Sequence, residues 1–242
     1  MSILRSPNGC PWDREQTHES LLPYLLEESY EFIDSVKSGD VDAMKEELGD
    51  LLLQIAFHAQ LAEERGLFNF ADVDQAISDK MVRRHPHVFG DASSADLDHR
   101  WEELKHSERE QKGLKSVLDD IPLALPAVSR AEKIQRRAAK VGFDWDEISP
   151  VFAKIEEEMD EIRRAIDGDG DIHEEVGDLL FACVNLARKL DVKAEMALDD
   201  TNRKFEARFR QMETTVLPKS LADYSLDELE ALWVEAKNAQ KG

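Results

Sequence analysis

The chain has 242 residues, 42% of them apolar and 34% charged, with a formal net charge of -21 at pH 7. That length holds one large or two small globular domains with ample core, and the apolar content excludes a chain disordered throughout. So strong an acidic excess excludes an electrostatic grip on a nucleic-acid polymer or an anionic membrane, and an anionic substrate would need a cation as intermediary.

The start, MSILRSPNGCPWD, lacks the long apolar core of a signal peptide. The longest apolar run, LLLQIAF at residues 51–57, is far too short to span a bilayer. Cys10 and Cys183 lie far apart with no CxxC spacing, which argues against a disulfide framework or a thiolate zinc site. Buried or half-buried thiols in a reducing, cytoplasmic compartment are expected.

In chain order, apolar residues recur at helical spacing almost everywhere: Leu22, Leu25, Leu26, Ile33 and Val36, then Leu48, Leu51, Leu52, Ile55, Ala59 and Ala62. No segment alternates like a strand, so an all-α fold is predicted. Prolines near the start, in RHPHVF, in DDIPLALPAV, and at Pro150 and Pro218 predict loops. They also predict a linker over residues 111–128, between a first module at 1–110 and a second at 129–242.

The two halves repeat each other. The first reads LLEESYEFI, SGD, EELGDLLLQIAFHAQLA, and the second IEEEMDEIRRAI, DGDGD, EEVGDLLFACVNLA. Like charges one helical turn apart repel, so a lone acidic triplet is usually a solvated face. Solvated faces drift in sequence, and the doubling of EExxE, glycine turn and ExxD therefore points to a site. Gly39 is the midpoint both of Glu31 with Glu47 and of Glu28 with Asp50, while Gly168 bisects Glu161 with Glu175 and Glu158 with Asp178. With each glycine in the bend of an αα-hairpin, antiparallel arms bring four carboxylates to one height. Within an arm, the i, i+3 spacing puts both on one face.

The second arms, LLLQIAFHAQL and LLFACVNLA, are apolar nearly all round, so these carboxylates should border buried surface. Clustered there they require a proton or a cation. A donor set made only of carboxylate oxygens suits magnesium, or manganese in its place, rather than zinc or copper. A di-iron carboxylate bundle would need Glu-x-x-His motifs, and both second arms carry ExxD instead.

The ordered set GCPWDREQTH, EELGDLLLQIAFHAQLA, ISDKMVRRHPHVF, KIQRRAAKVGFDW and EEVGDLLFACVNLARKL resembles the MazG family of nucleoside triphosphate pyrophosphohydrolases over nearly the whole chain. The resemblance implies two MazG-type helical modules whose four-helix-bundle packing is completed by dimerisation. It also implies magnesium-dependent cleavage of nucleoside triphosphates to monophosphate and pyrophosphate, with a homodimer as the working form. A non-catalytic bundle that binds nucleotide or protein is the alternative. Family members usually carry a helix ahead of GCPWD, whereas MSILRSPN alone stands there here, so the first module is expected to be short of that element.

Carried over, the metal ligands would be Glu158, Glu161, Glu175 and Asp178 in the second half, and Glu28, Glu31, Glu47 and Asp50 in the first. Glu157 and Glu174 are the candidates for orienting the attacking water. Lys154 stands one turn before Glu158, and two basic pairs at i, i+4, Lys80 with Arg84 and Lys204 with Arg208, are candidate triphosphate contacts. The resemblance places Trp233, in the tail segment DELEALWVEAK, beside the nucleotide. Trp12 and Trp145 read as core packing, and His85 and His87 as structural residues of a proline turn.

Overall fold

The computed structural model describes residues 1–90, 108–109 and 113–239. Of the described residues 73% are helical, and no strand occurs among them. The chain divides into two compact units, Met1–Ser107 and Glu108–Gly242. The module boundary expected at residues 110 and 111 lies outside the described residues.

In the first unit, α1 (Pro11–Glu15) leads into α2 (His18–Ser38), α3 (Val41–Glu64), α4 (Phe70–Arg84) and the single turn α5 (Pro86–Phe89). The start of α2 is set by a reciprocal cap: the Thr17 side chain accepts from the Ser20 amide, and Ser20 Oγ accepts from the Thr17 amide. Its end is set by Gly39, at φ 73°, where a side chain would be strained. Asp40 then accepts from the amides of Asp42 and Ala43 and starts α3 two residues after α2 has stopped. The predicted hairpin bend is therefore in place, and α2 packs along α3.

Leu21, Phe57 and Leu61 form the buried core of this unit, with Met1 against it. Arg5 ties the N-terminal segment down. Its guanidinium pairs with both Glu64 carboxylate oxygens, at 2.7 and 2.8 Å, donates to the carbonyls of Asp13 and Gln16, and lies 5.5 Å over the Phe57 ring. Next to this core the His18 and His58 rings stack, with their Nδ1 atoms 2.8 Å apart. Such a contact has one ring donating and the other accepting, and burial with the neighbouring His18 holds His58 below the usual histidine range.

In the second unit, α6 (Ala127–Ala139) precedes the hairpin of α7 (Ser149–Ile166) and α8 (Ile172–Lys189), then α9 (Ala194–Val216), a 3-10 turn (Leu221–Asp223) and α10 (Leu226–Ala239). Gly168, at φ 96°, sits in the bend between α7 and α8, again as its midpoint position predicted. Asp144 is held by Arg188, at 2.6 and 3.0 Å, and by Lys189, at 3.3 Å, which anchors the FDW segment to the end of α8. Helix α10 packs on α9.

Several local expectations are corrected. Pro11, Pro86 and Pro150 open helices instead of marking loops, because first-turn amides have no intrahelical acceptor to lose. Pro23 lies inside α2, at the cost of the bond its amide would have made to the Glu19 carbonyl. Regular structure resumes at Ala127, within the expected linker. Trp12 and Trp145 are not core residues, being 48% and 42% exposed; Trp12 meets Tyr24 and Phe57 edge-on. Cys183, on α8, is exposed, not buried or half-buried. His85 fits its structural reading, since Nδ1 lies 2.8 Å from the Met81 carbonyl at the junction of α4 and α5. No described helix is long and apolar enough to cross a membrane.

Much of the apolar surface of both hairpins remains uncovered within one chain. Leu48 and Leu52 on α3, and Ile172, Val176 and Leu180 on α8, are all largely exposed. The second arms are apolar nearly all round, as read from sequence, yet only part of that surface is buried here.

Candidate functional site

Each hairpin gathers carboxylates from both arms, a consequence of placing the acidic i, i+3 pairs equidistant from a glycine bend. In the first unit, Glu28 of α2 and Glu47 and Asp50 of α3 each offer an oxygen within 4.8 Å of the others. In the second, Glu158 and Glu161 of α7 and Glu175 of α8 do the same. Glu31 and Asp178, expected as fourth members, are exposed and are not among these three-residue groups. Both still act through their fields, Glu31 on Glu28 and Glu47, and Asp178 on Glu175.

The electrostatics match the crowding. Partial burial, followed by Asp50, Glu31, Glu47 and Glu27, pushes the Glu28 carboxyl above its ordinary range. Glu47 is raised by partial burial and then by Glu31, Asp50 and Glu46. Glu175 is raised in the same way, by partial burial and then Glu161, Glu158, Glu174 and Asp178.

The two clusters differ in their cations. Lys154 Nζ lies 2.9 Å from Glu157 Oε1 and 2.7 Å from Glu158 Oε1, and these hydrogen bonds, the Glu157 one foremost, raise the ammonium above its usual range. Arg164 holds Glu161 at 2.9 Å. Glu158 is only 2% exposed, and its second oxygen, Oε2, is buried with no hydrogen-bond partner. A buried carboxylate oxygen left bare is costly. Together with an all-oxygen donor set, that orphaned atom fits a hard divalent cation, which Glu158, Glu161 and Glu175 would hold. No cation among the described residues pairs with Glu28, Glu31, Glu47 or Asp50.

The remaining candidates fall on the helices expected of them. Lys80 and Arg84 lie on the C-terminal half of α4, and Lys204 and Arg208 on α9. Trp233 on α10 packs against α9, its ring 5.0 Å from that of Phe205, with the Arg208 guanidinium 5.6 Å over it. Glu157 is engaged by Lys154, while Glu174 is exposed beside Glu175. Sequence reasoning passed over Arg164, although its i+3 position after Glu161 was a legible signal.

Residues 16–89 and 148–212 match the model of the MazG nucleotide pyrophosphohydrolase domain. The chain is 50% identical over 250 residues to a nucleoside triphosphate pyrophosphohydrolase of Escherichia coli (strain K12), covering 99% of this chain and 95% of that protein. It is 46% identical over 243 residues to the Thermotoga maritima nucleoside triphosphate pyrophosphohydrolase/pyrophosphatase MazG, covering 100% and 94%. An uncharacterized Bacillus subtilis protein, YabN, is also 46% identical over 98% of this chain, which spans 50% of its length. Both acidic hairpins lie inside the two matched segments, and the chain belongs to the MazG nucleotide pyrophosphohydrolase family.

Proposed function

We propose that the chain hydrolyses nucleoside triphosphates to nucleoside monophosphate and pyrophosphate, as a housekeeping enzyme of the nucleotide pool. The observation that carries this is the α7–α8 carboxylate cluster with its orphaned buried oxygen, set in a chain whose relatives are named for this activity. Glu158, Glu161 and Glu175, joined by Asp178, would hold magnesium, for which manganese can substitute. When bound, the ion neutralises phosphate charge and stabilises the leaving pyrophosphate.

The chain's own groups supply the rest. Lys154, Lys204 and Arg208 neutralise the triphosphate oxygens, and the Trp233 edge of α10 borders the base. Glu157 or Glu174 accepts a proton from the attacking water. The water oxygen bonds to the α-phosphorus, the bond from that phosphorus to the α,β-bridging oxygen breaks, and pyrophosphate leaves with the electron pair. The first unit keeps Glu28, Glu31, Glu47 and Asp50 as a second metal site, with Lys80 and Arg84 as its basic pair. Nucleoside monophosphate and pyrophosphate should appear together from the first turnover, read by ion-exchange chromatography; nucleoside diphosphate as first product would refute α,β cleavage.

A homodimer is the working form in this reading. Exposed apolar stripes on α3 and α8 lie on the helices that carry the clusters, and a second copy would cover them. The free thiols Cys10 and Cys183 fit a cytoplasmic setting.

A metal held by these carboxylates competes with protons, and the sign of the effect follows from the raised groups. A carboxyl whose folded pKa exceeds its unfolded value makes the metal-free fold less stable as pH rises from the ordinary carboxylate range through the raised value. Binding of the ion to the ionised cluster reverses that loss. The gain in melting temperature from saturating magnesium should therefore be larger at about pH 8 than at about pH 5. Calorimetric melts showing equal gains would remove the carboxylates from the site.

A further inference from the structure

The two units answer the same crowding differently. Tyr24 stands one turn before Glu28, where the second unit has Lys154 one turn before Glu158; Asp34 stands three residues after Glu31, where the second unit has Arg164 three residues after Glu161. Tyr24 is turned to Trp12, with ring centroids 5.8 Å apart. The second cluster thus carries resident cations at 2.7 Å on Glu158 and 2.9 Å on Glu161, and the first has none among the described residues.

We propose that Lys154 is an exchangeable counter-ion, which occupies Glu158 until the metal takes that carboxylate and then moves to the triphosphate, a step with no counterpart at the first cluster among the described residues. The inference rests on the metal and triphosphate assignments proposed above and adds the order in which the site fills. Geometry supports it. Lys154 Nζ covers only Oε1 of Glu158, leaving Oε2 bare and buried, and its side chain is 36% exposed, so the ammonium has a path outward. Glu157, at 2.9 Å, holds the same ammonium from the surface side and can keep it nearby once Glu158 is taken. A lysine on a flexible four-carbon stem suits such a transfer better than a rigid bidentate arginine.

The test is manganese binding to the full chain without nucleotide, followed by electron paramagnetic resonance of the free ion. In a Glu47→Gln background, the site that Glu175→Gln deletes is the second cluster. Adding Lys154→Met should tighten that site about tenfold, the scale expected for removing one competing charged hydrogen bond. Lys154→Arg, which keeps the competing charge in a form that leaves a carboxylate less readily, should leave it at or below the parent affinity, and the first-cluster site, read in a Glu175→Gln background, should not respond to Lys154→Met. Equal or weaker binding in the Lys154→Met protein overturns the exchange and leaves the metal assignment standing. Absence of any manganese site sensitive to Glu175→Gln overturns the metal assignment and the exchange with it.

A second measurement needs no variant. Lys154 in the unsubstituted chain should acetylate faster with acetic anhydride when manganese is added without nucleotide, judged against Lys140 by mass spectrometry. An unchanged ratio also overturns the exchange.

Discussion

Glu175→Gln should reduce pyrophosphate release by about a hundredfold or more, above what even outer-sphere partners of a metal commonly cost, while the helical fold stays intact. Glu175 is the contribution of α8 to the second three-carboxylate group, and partial burial with four acidic neighbours already raises its proton affinity. Replacing it by the isosteric amide removes one unit of charge from the proposed hard-cation site. For the fold, the substitution relieves repulsion from Glu161, Glu158, Glu174 and Asp178, so the metal-free variant should melt at or above the wild-type temperature. Glu47→Gln makes the same change in the first cluster, which among the described residues lacks resident cations and a counterpart of α10, and should cost less activity. Melts and pyrophosphate assays on both proteins at saturating magnesium decide the matter. A nearly wild-type Glu175→Gln beside an inactive Glu47→Gln would assign catalysis to the first unit.

How far the site was legible in sequence depended on what each level of structure obeys. Backbone features followed local chemistry. Gly39 and Gly168 took the bends because positive φ is open to glycine, and the carboxylate pairs equidistant from them then faced one another. Side-chain direction follows solvation and neighbouring charge, which spacing does not encode. Four equivalent ligands were expected in each half, yet the gathered trio is Glu28, Glu47 and Asp50 in one unit but Glu158, Glu161 and Glu175 in the other, with Glu31 and Asp178 exposed. Trp12 and Trp145 looked like core from their size, and the short helical hairpins offer too little interior to enclose them. The His18–His58 stack joins residues 40 apart in sequence and had no periodic signal. Lys154 was legible because i, i+4 geometry is local; the bare oxygen beside it was not, because burial of Glu158 depends on the packing of α7 against α8.

Leu180→Glu should convert a dimer into monomers and take most of the activity with it. Leu180 is 61% exposed, and Ile172 and Val176 precede it at i, i+4 spacing on one face of α8, the helix that carries Glu175. In the first unit α3 presents Leu48 and Leu52 at the matching positions. An apolar stripe repeated in both units beside both acidic clusters is surface that a second copy of the chain would cover. In a two-fold interface each substitution occurs twice. Losing two buried leucines, at about 2 kcal/mol each, weakens association by roughly a thousandfold before any cost of placing carboxylates in the seam. Within one chain the same residue is mostly in water, so circular dichroism and the α7–α8 hairpin should be unaffected. The expected result is half the wild-type mass by light scattering, with pyrophosphate release down at least about tenfold, since a hairpin half-open to water holds its carboxylates and metal less firmly. Wild-type mass together with wild-type turnover in Leu180→Glu would place the partner surface elsewhere on the chain. Wild-type turnover at half the mass would show that one chain suffices for catalysis.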